Sequence, residues 1–114
     1  MVRRRRAGTA GAILAAITLI TSGAAVAEVS PEYTDWMRIG RAAYKADDFA
    51  AAETAFKLVL QAARTPRQRA TANGYLAMTA EQLKRPDAAR AYAREALRHF
   101  PEEGRATAVL GRLR

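Results

Sequence analysis

Four prolines divide the chain, at Pro31, Pro66, Pro86 and Pro101. Ser30 and Thr65 stand before the first two, Arg85 and Phe100 before the others, and between the prolines the sequence is rich in alanine. Proline at the first turn of a helix loses no hydrogen bond, whereas inside a helix it breaks one. Ser30-Pro31 and Thr65-Pro66 are therefore read as helix starts, because the hydroxyl can accept a backbone N–H. Alanine has the best helix propensity, and alternating period-two runs are missing, so a sheet is not expected.

Five helices follow from this punctuation. Helix one is predicted over about 31–46, with Trp36, Ile39, Gly40 and Ala43 on its inward face. Asp47-Asp48 reads as a turn, with Asp48 capping helix two over about 49–63. There Phe49, Ala52, Phe56, Val59 and Leu60 recur at helical spacing. Helix three is placed at about 66–83, with Ala72, Leu76, Ala80 and Leu83 inward. Helix four is placed at about 86–99, with Ala89, Tyr92, Ala93, Ala96 and Leu97, then Phe100. Pro101 is expected to open helix five, with Glu102 and Glu103 in its first turn, where the helix dipole favours acids. Ala106, Val109, Leu110 and Leu113 form its apolar face.

The first 27 residues read as an address. Arg3 to Arg6 form a basic run, Ala10 to Ile20 is apolar and uncharged, and Ala25-Val26-Ala27 offers small residues around Val26. That order matches a bacterial secretory signal peptide, with cleavage expected after Ala27 and the product periplasmic or secreted. The alternative is an uncleaved membrane anchor, since Ala7 to Ala27 is uncharged and long enough to span a bilayer as a helix. The domain is then expected over 28–114.

Composition narrows function. There is no cysteine and one histidine, His99, which excludes disulfides, thiolate metal sites and multi-histidine sites. The 19 basic residues less the arginine run of four leave 15 against 11 acidic, a mild balance that does not indicate nucleic-acid binding. No phosphate loop, nucleophile elbow or metal motif is present. Asp47-Asp48 is explained by a turn and cap, and His99 by a helix C-terminus. No catalytic residue, cofactor or metal is expected.

The helices also resemble one another at a fixed interval. Ile39-Gly40 corresponds to Leu76-Ala77, and Ala52 to Ala89, at a shift of 37; Leu76-Ala77 corresponds to Leu110-Gly111 at 34. With Trp36 and Phe56 in the first unit and Ala96 and Pro101 in the second, the pattern resembles the tetratricopeptide repeat (TPR). Ala43, Asn73 and Arg64 depart from it. The resemblance implies an all-α fold, a TPR-like α-solenoid of antiparallel helix hairpins. Repeat one would span about 33–65, repeat two about 70–101, and a capping helix about 102–114.

The resemblance further implies a non-enzymatic scaffold or adaptor that binds a partner protein's peptide or helix in a groove lined by the first helix of each repeat. Carried onto this chain, the groove residues are Met37, Arg41, Tyr44 and Lys45, then Met78, Glu81 and Gln82, then Arg105 and Arg112. Methionine and tyrosine would give adaptable apolar contact, and the cations would favour acidic groups. The asparagines and lysines of the family's carboxylate clamp are missing. Self-association through Thr107, Ala108 and Gly111 is the competing reading, and contact with a membrane is expected only through an uncleaved N-terminal segment.

Overall fold

A computed structural model describes residues 30–114. These residues form five helices and, among them, no strand: α1 (Pro31–Lys45), α2 (Phe49–Ala62), α3 (Pro66–Gln82), α4 (Pro86–His99) and α5 (Gly104–Arg112). The protein is all-α over this span. No helix of the described residues is long and apolar enough to cross a membrane. The signal-peptide and anchor readings fall on residues 1–27, outside the described residues.

The helix starts follow the local chemistry. Ser30 accepts the Tyr33 N–H at 3.1 Å, Asp48 accepts that of Ala51 at 3.2 Å, and Thr65 accepts that of Gln68 at 3.1 Å. Each satisfies one of the donors that a helix N-terminus leaves open. Gln68 reaches back to accept the Arg64 N–H at 2.7 Å, so the tight bend into α3 is held from both sides.

Two of the turns are built alike. In the first, Asp47 adopts φ 60°, Asp47 N–H donates to Tyr44 at 3.0 Å, and Asp48 N–H donates to Ala43 at 2.9 Å. In the second, Lys84 adopts φ 63°, Lys84 N–H donates to Glu81 at 3.1 Å, and Arg85 N–H donates to Ala80 at 3.0 Å. A left-handed residue just past a helix end, with a bond spanning six residues, ties up carbonyls that the helix leaves open. The equivalent positions are 37 residues apart throughout. The second turn lacks a side-chain cap, because Arg85 stands where the first has Asp48. Arg85 instead reaches Glu53 of α2 at 3.2 Å.

α1 packs on α2, α2 on α3, α3 on α4, and α5 on both α3 and α4. α3 is thus gripped from several sides and buries Ala70, Ala72, Leu76, Ala77 and Ala80 among others. Its buried polar groups are satisfied locally. Asn73 donates to the Arg69 carbonyl at 3.0 Å, and Thr79 donates to that of Tyr75 at 2.8 Å.

Apolar packing falls into two clusters. One joins α1, α2 and α3 around Phe56, Val59 and Leu76, with Tyr33, Trp36, Met37 and Tyr44 against it. The other joins α3, α4 and α5 and is made of buried alanines plus Val109. Gly40 lies at the α1–α2 contact. A β-carbon there would stand 2.6 Å from Phe56 Cε1, so only glycine lets the helices approach this closely.

Two expectations need correction. Ile39 does not face inward: it is 43% exposed, while Gly40 is the only residue of α1 that is fully buried. The α1–α2 contact is centred on Gly40 and Phe56, and Ile39 is turned away from it. Helix five does not open at Pro101. Proline biases the preceding Phe100 to extended backbone, and a turn follows in which Glu103 N–H donates to Phe100 at 3.0 Å. Glu103 then caps α5 from outside it, accepting the Arg105 N–H at 3.0 Å.

Candidate functional site

Residues of α1, α3 and α5 share one face of the domain. Along α1, side chains spaced three, four and seven apart border a groove of about 490 Å³, lined by Tyr33, Thr34, Met37, Arg38, Arg41, Ala42 and Lys45. Three of the sequence-predicted residues, Met37, Arg41 and Lys45, therefore meet in it. Arg38 is held by Asp35 at 2.9 Å. Arg41 and Lys45 have no carboxylate partner among the described residues.

At the C-terminal ends of the three helices a second group converges. Arg112 of α5 grips Glu81 of α3 through Nε at 2.9 Å and Nη2 at 2.8 Å. This contact holds the Arg112 guanidinium more firmly protonated than usual, chiefly through its hydrogen bond to Glu81. Tyr44 stands beside this pair, its ring edge-on to Phe49 at 5.1 Å. Burial pushes the Tyr44 hydroxyl above its ordinary pKa of 10.0, against a polar contact from Gln82 that acts the other way. Tyr44 is therefore neutral at physiological pH, a hydroxyl flanked by Gln82 and the Glu81–Arg112 pair.

Arg105 occupies the other end of the face. Its guanidinium lies 4.4 Å from the centre of the Tyr75 ring, which itself stacks on Phe56 at 4.8 Å. It also contacts Glu103 at 3.2 Å. Burial would lower the Arg105 pKa, but Tyr75 and Glu103 outweigh it and raise it. Tyr33 of α1 faces the same group, and burial raises its hydroxyl pKa as well, with Thr71 and Arg105 opposing.

The structure thus separates the predicted cations by role. Arg105 and Arg112 are each engaged with a carboxylate of the chain itself, and Arg41 and Lys45 carry charge that nothing described here neutralises. Met78 is partly buried and packs against the alanine-rich cluster of α3, α4 and α5, so much of its surface is used internally. Gln82 is exposed beside Tyr44.

Tyr33, Tyr75 and Glu103 complete this face; the sequence reading did not place them on it, and gave Glu103 only a position in the first turn of helix five. Tyr75 lies three residues before Met78 and Tyr33 four before Met37, so helical spacing puts each on the same side as a methionine that the repeat resemblance offered. Glu103 carried no such signal. It is 5% exposed and fits beneath Gly74, where a β-carbon would stand 2.5 Å from its Oε2.

No group of three or more His, Asp or Glu side chains is placed to hold a metal ion among the described residues. What the face offers is apolar and aromatic side chains with two cations, Arg41 and Lys45, that no carboxylate of the described residues pairs with. No protein-family model, curated protein or solved structure matches the chain.

Proposed function

We propose that this chain is an exported TPR-type binding module. It holds a peptide or helix of a partner protein along the α1–α3–α5 face, and it performs no catalysis. The observation that carries this reading is the recurrence of one hairpin turn. Asp47 and Lys84 share a left-handed backbone and the same pair of hydrogen bonds, at the 37-residue interval of the small-residue pattern. Small side chains where helices touch, Gly40 above all, support it further, since such hairpins bury their apolar faces by stacking on neighbours.

The partner segment that suits this face carries an apolar side chain for Met37 and Tyr33 and an acidic group for Arg41 and Lys45. A photo-crosslinking residue at position 37, against one at the exposed position 91 of α4, tests the assignment in cells. A discrete adduct from position 37 alone is expected; the same adducts from both positions would remove the groove. Intact mass of the mature product tests export, since 114 residues less 27 should remain 87.

A second reading, self-association, draws on α5, where Thr107, Ala108 and Gly111 are exposed small residues. Sedimentation over a wide concentration range separates it from the first: a monomer throughout counts against it.

A further inference from the structure

The apolar part of the α1 groove rests on few side chains. Of the residues that line it, Tyr33 and Met37 are the large apolar ones, and Met37 is the one long uncharged aliphatic side chain. Met37 is partly buried and packs against the cluster of Phe56, Val59 and Leu76, so it is held in place while it lines the open groove. Arg41 stands one helical turn further on and Lys45 one turn beyond that, neither with a carboxylate among the described residues. The other methionine of the described residues, Met78, packs against the buried alanines of α3, α4 and α5. A thioether differs from the leucine or isoleucine that fills similar space. It is apolar as it stands, yet a two-electron oxidant turns it into a sulfoxide, which is polar and accepts hydrogen bonds.

We propose that Met37 is an oxidation site, and that its conversion to the sulfoxide closes this groove to a partner. The oxidant is a hydroperoxide, of which hydrogen peroxide is the simplest. The Met37 sulfur gives an electron pair to one peroxide oxygen. An S–O bond forms, the O–O bond breaks, and the departing hydroxide takes the proton of the transferred hydroxyl and leaves as water. Sulfur loses two electrons and the peroxide gains them. The new oxygen replaces the groove's apolar anchor with an acceptor, and the Arg41 guanidinium, one turn away, is a donor for it. Oxidation therefore removes an apolar contact and occupies one of the two free cations together. A sulfoxide reductase, drawing its electrons from a thiol, restores the thioether. The effect on a partner rests on the function proposed above; the oxidation of Met37 ahead of Met78 does not.

The test has two arms. In the first, the folded protein is treated with hydrogen peroxide, and the peptides holding Met37 and Met78 are followed by mass spectrometry. Met37 should gain one oxygen several times faster than Met78, with the helical circular-dichroism signal kept. Oxidation of Met78 as fast as Met37, or loss of the helical signal as Met37 reacts, would overturn the site. In the second arm, a photo-crosslinking residue at position 34 reads groove occupancy in cells with and without peroxide. Peroxide should cut the adduct yield roughly tenfold, the worth of one buried apolar side chain, in the native chain and in Met78→Leu. Met37→Leu should stay at its own untreated yield, whatever that is. An equal fall in Met37→Leu places the oxidised group elsewhere and overturns the closing role. No adduct from position 34 in untreated cells sinks the partner-binding reading and the closing role with it, while the relative rates at the two methionines still decide the oxidation site.

Discussion

Gly40→Ala separates the packing argument from simple helix propensity, because the two predict opposite signs. In an exposed helix interior, alanine is favoured over glycine by about 1 kcal/mol. Here the added β-carbon would stand 2.6, 2.8 and 3.0 Å from three atoms of the Phe56 ring. The ring cannot easily retreat, since it is fully buried and backed by Tyr75 at 4.8 Å. Overpacking of a tight core costs about 1–3 kcal/mol, and a contact this close on a fixed ring belongs in the upper half of that range. The net expectation is a loss of about 1–2 kcal/mol. At about 4–8 °C per kcal/mol for a domain of this size, Tm should fall by roughly 4–16 °C. Thermal and urea unfolding followed by circular dichroism measure it. Gly111→Ala is the internal control: that position is helical and exposed, with only Arg114 Nη2 at 3.9 Å, so alanine there should stabilise by up to about 1 kcal/mol. Combining Gly40→Ala with Phe56→Leu should recover about 1 kcal/mol relative to the sum of the single changes. A Gly40→Ala protein as stable as the native one would refute the reasoning, because the helices would then have room that the packing denies.

The other expectations are briefer. Glu103→Ala removes the cap of α5 and should cost about 1 kcal/mol, seen as faster amide exchange in α5 before the rest of the domain. Arg41→Ala with Lys45→Ala should leave the unfolding free energy within about 0.5 kcal/mol of the native value while weakening any crosslink made from position 37. Burial raises the Tyr33 and Tyr44 pKa values, so the folded chain holds those protons more tightly than the unfolded one. Stability from them is complete below pH 10 and falls as pH rises above it, and near-ultraviolet absorbance should show two tyrosines ionising late. Arg112→Ala breaks a contact in which the arginine is 55% exposed, so its cost should stay below about 1 kcal/mol and shrink further in salt.

Much of the helical outline could be read from the prolines and capping residues. Pro31, Pro66 and Pro86 each begin a helix, and Asp48 caps one, because these effects are local and depend on a few neighbouring atoms. Ile39 and Pro101 were misread for different reasons. The inward face of α1 depends on where α2 crosses it, which is not local. The late start of α5 is local: Pro101 biases Phe100 to extended backbone, and a turn precedes the cap at Glu103. Met37, Arg41 and Lys45 were offered by the repeat resemblance, and as residues four apart on α1 they line one groove. That Arg105 and Arg112 are already engaged was hidden, since Glu103 and Glu81 become their partners only after α3 and α5 pack.

The cluster of alanines beneath α3, α4 and α5 has a mechanical consequence. A methyl group has no rotamer to change, so any rearrangement of this interior falls on the larger, partly buried side chains around the alanines. Met78, Tyr92, Leu97, Phe100, Leu110 and Leu113 close the rim around these small side chains. The α3–α4–α5 interior thus rests on close approach of helices at small side chains, whereas the cluster of α1, α2 and α3 is filled by Phe56, Val59 and Leu76.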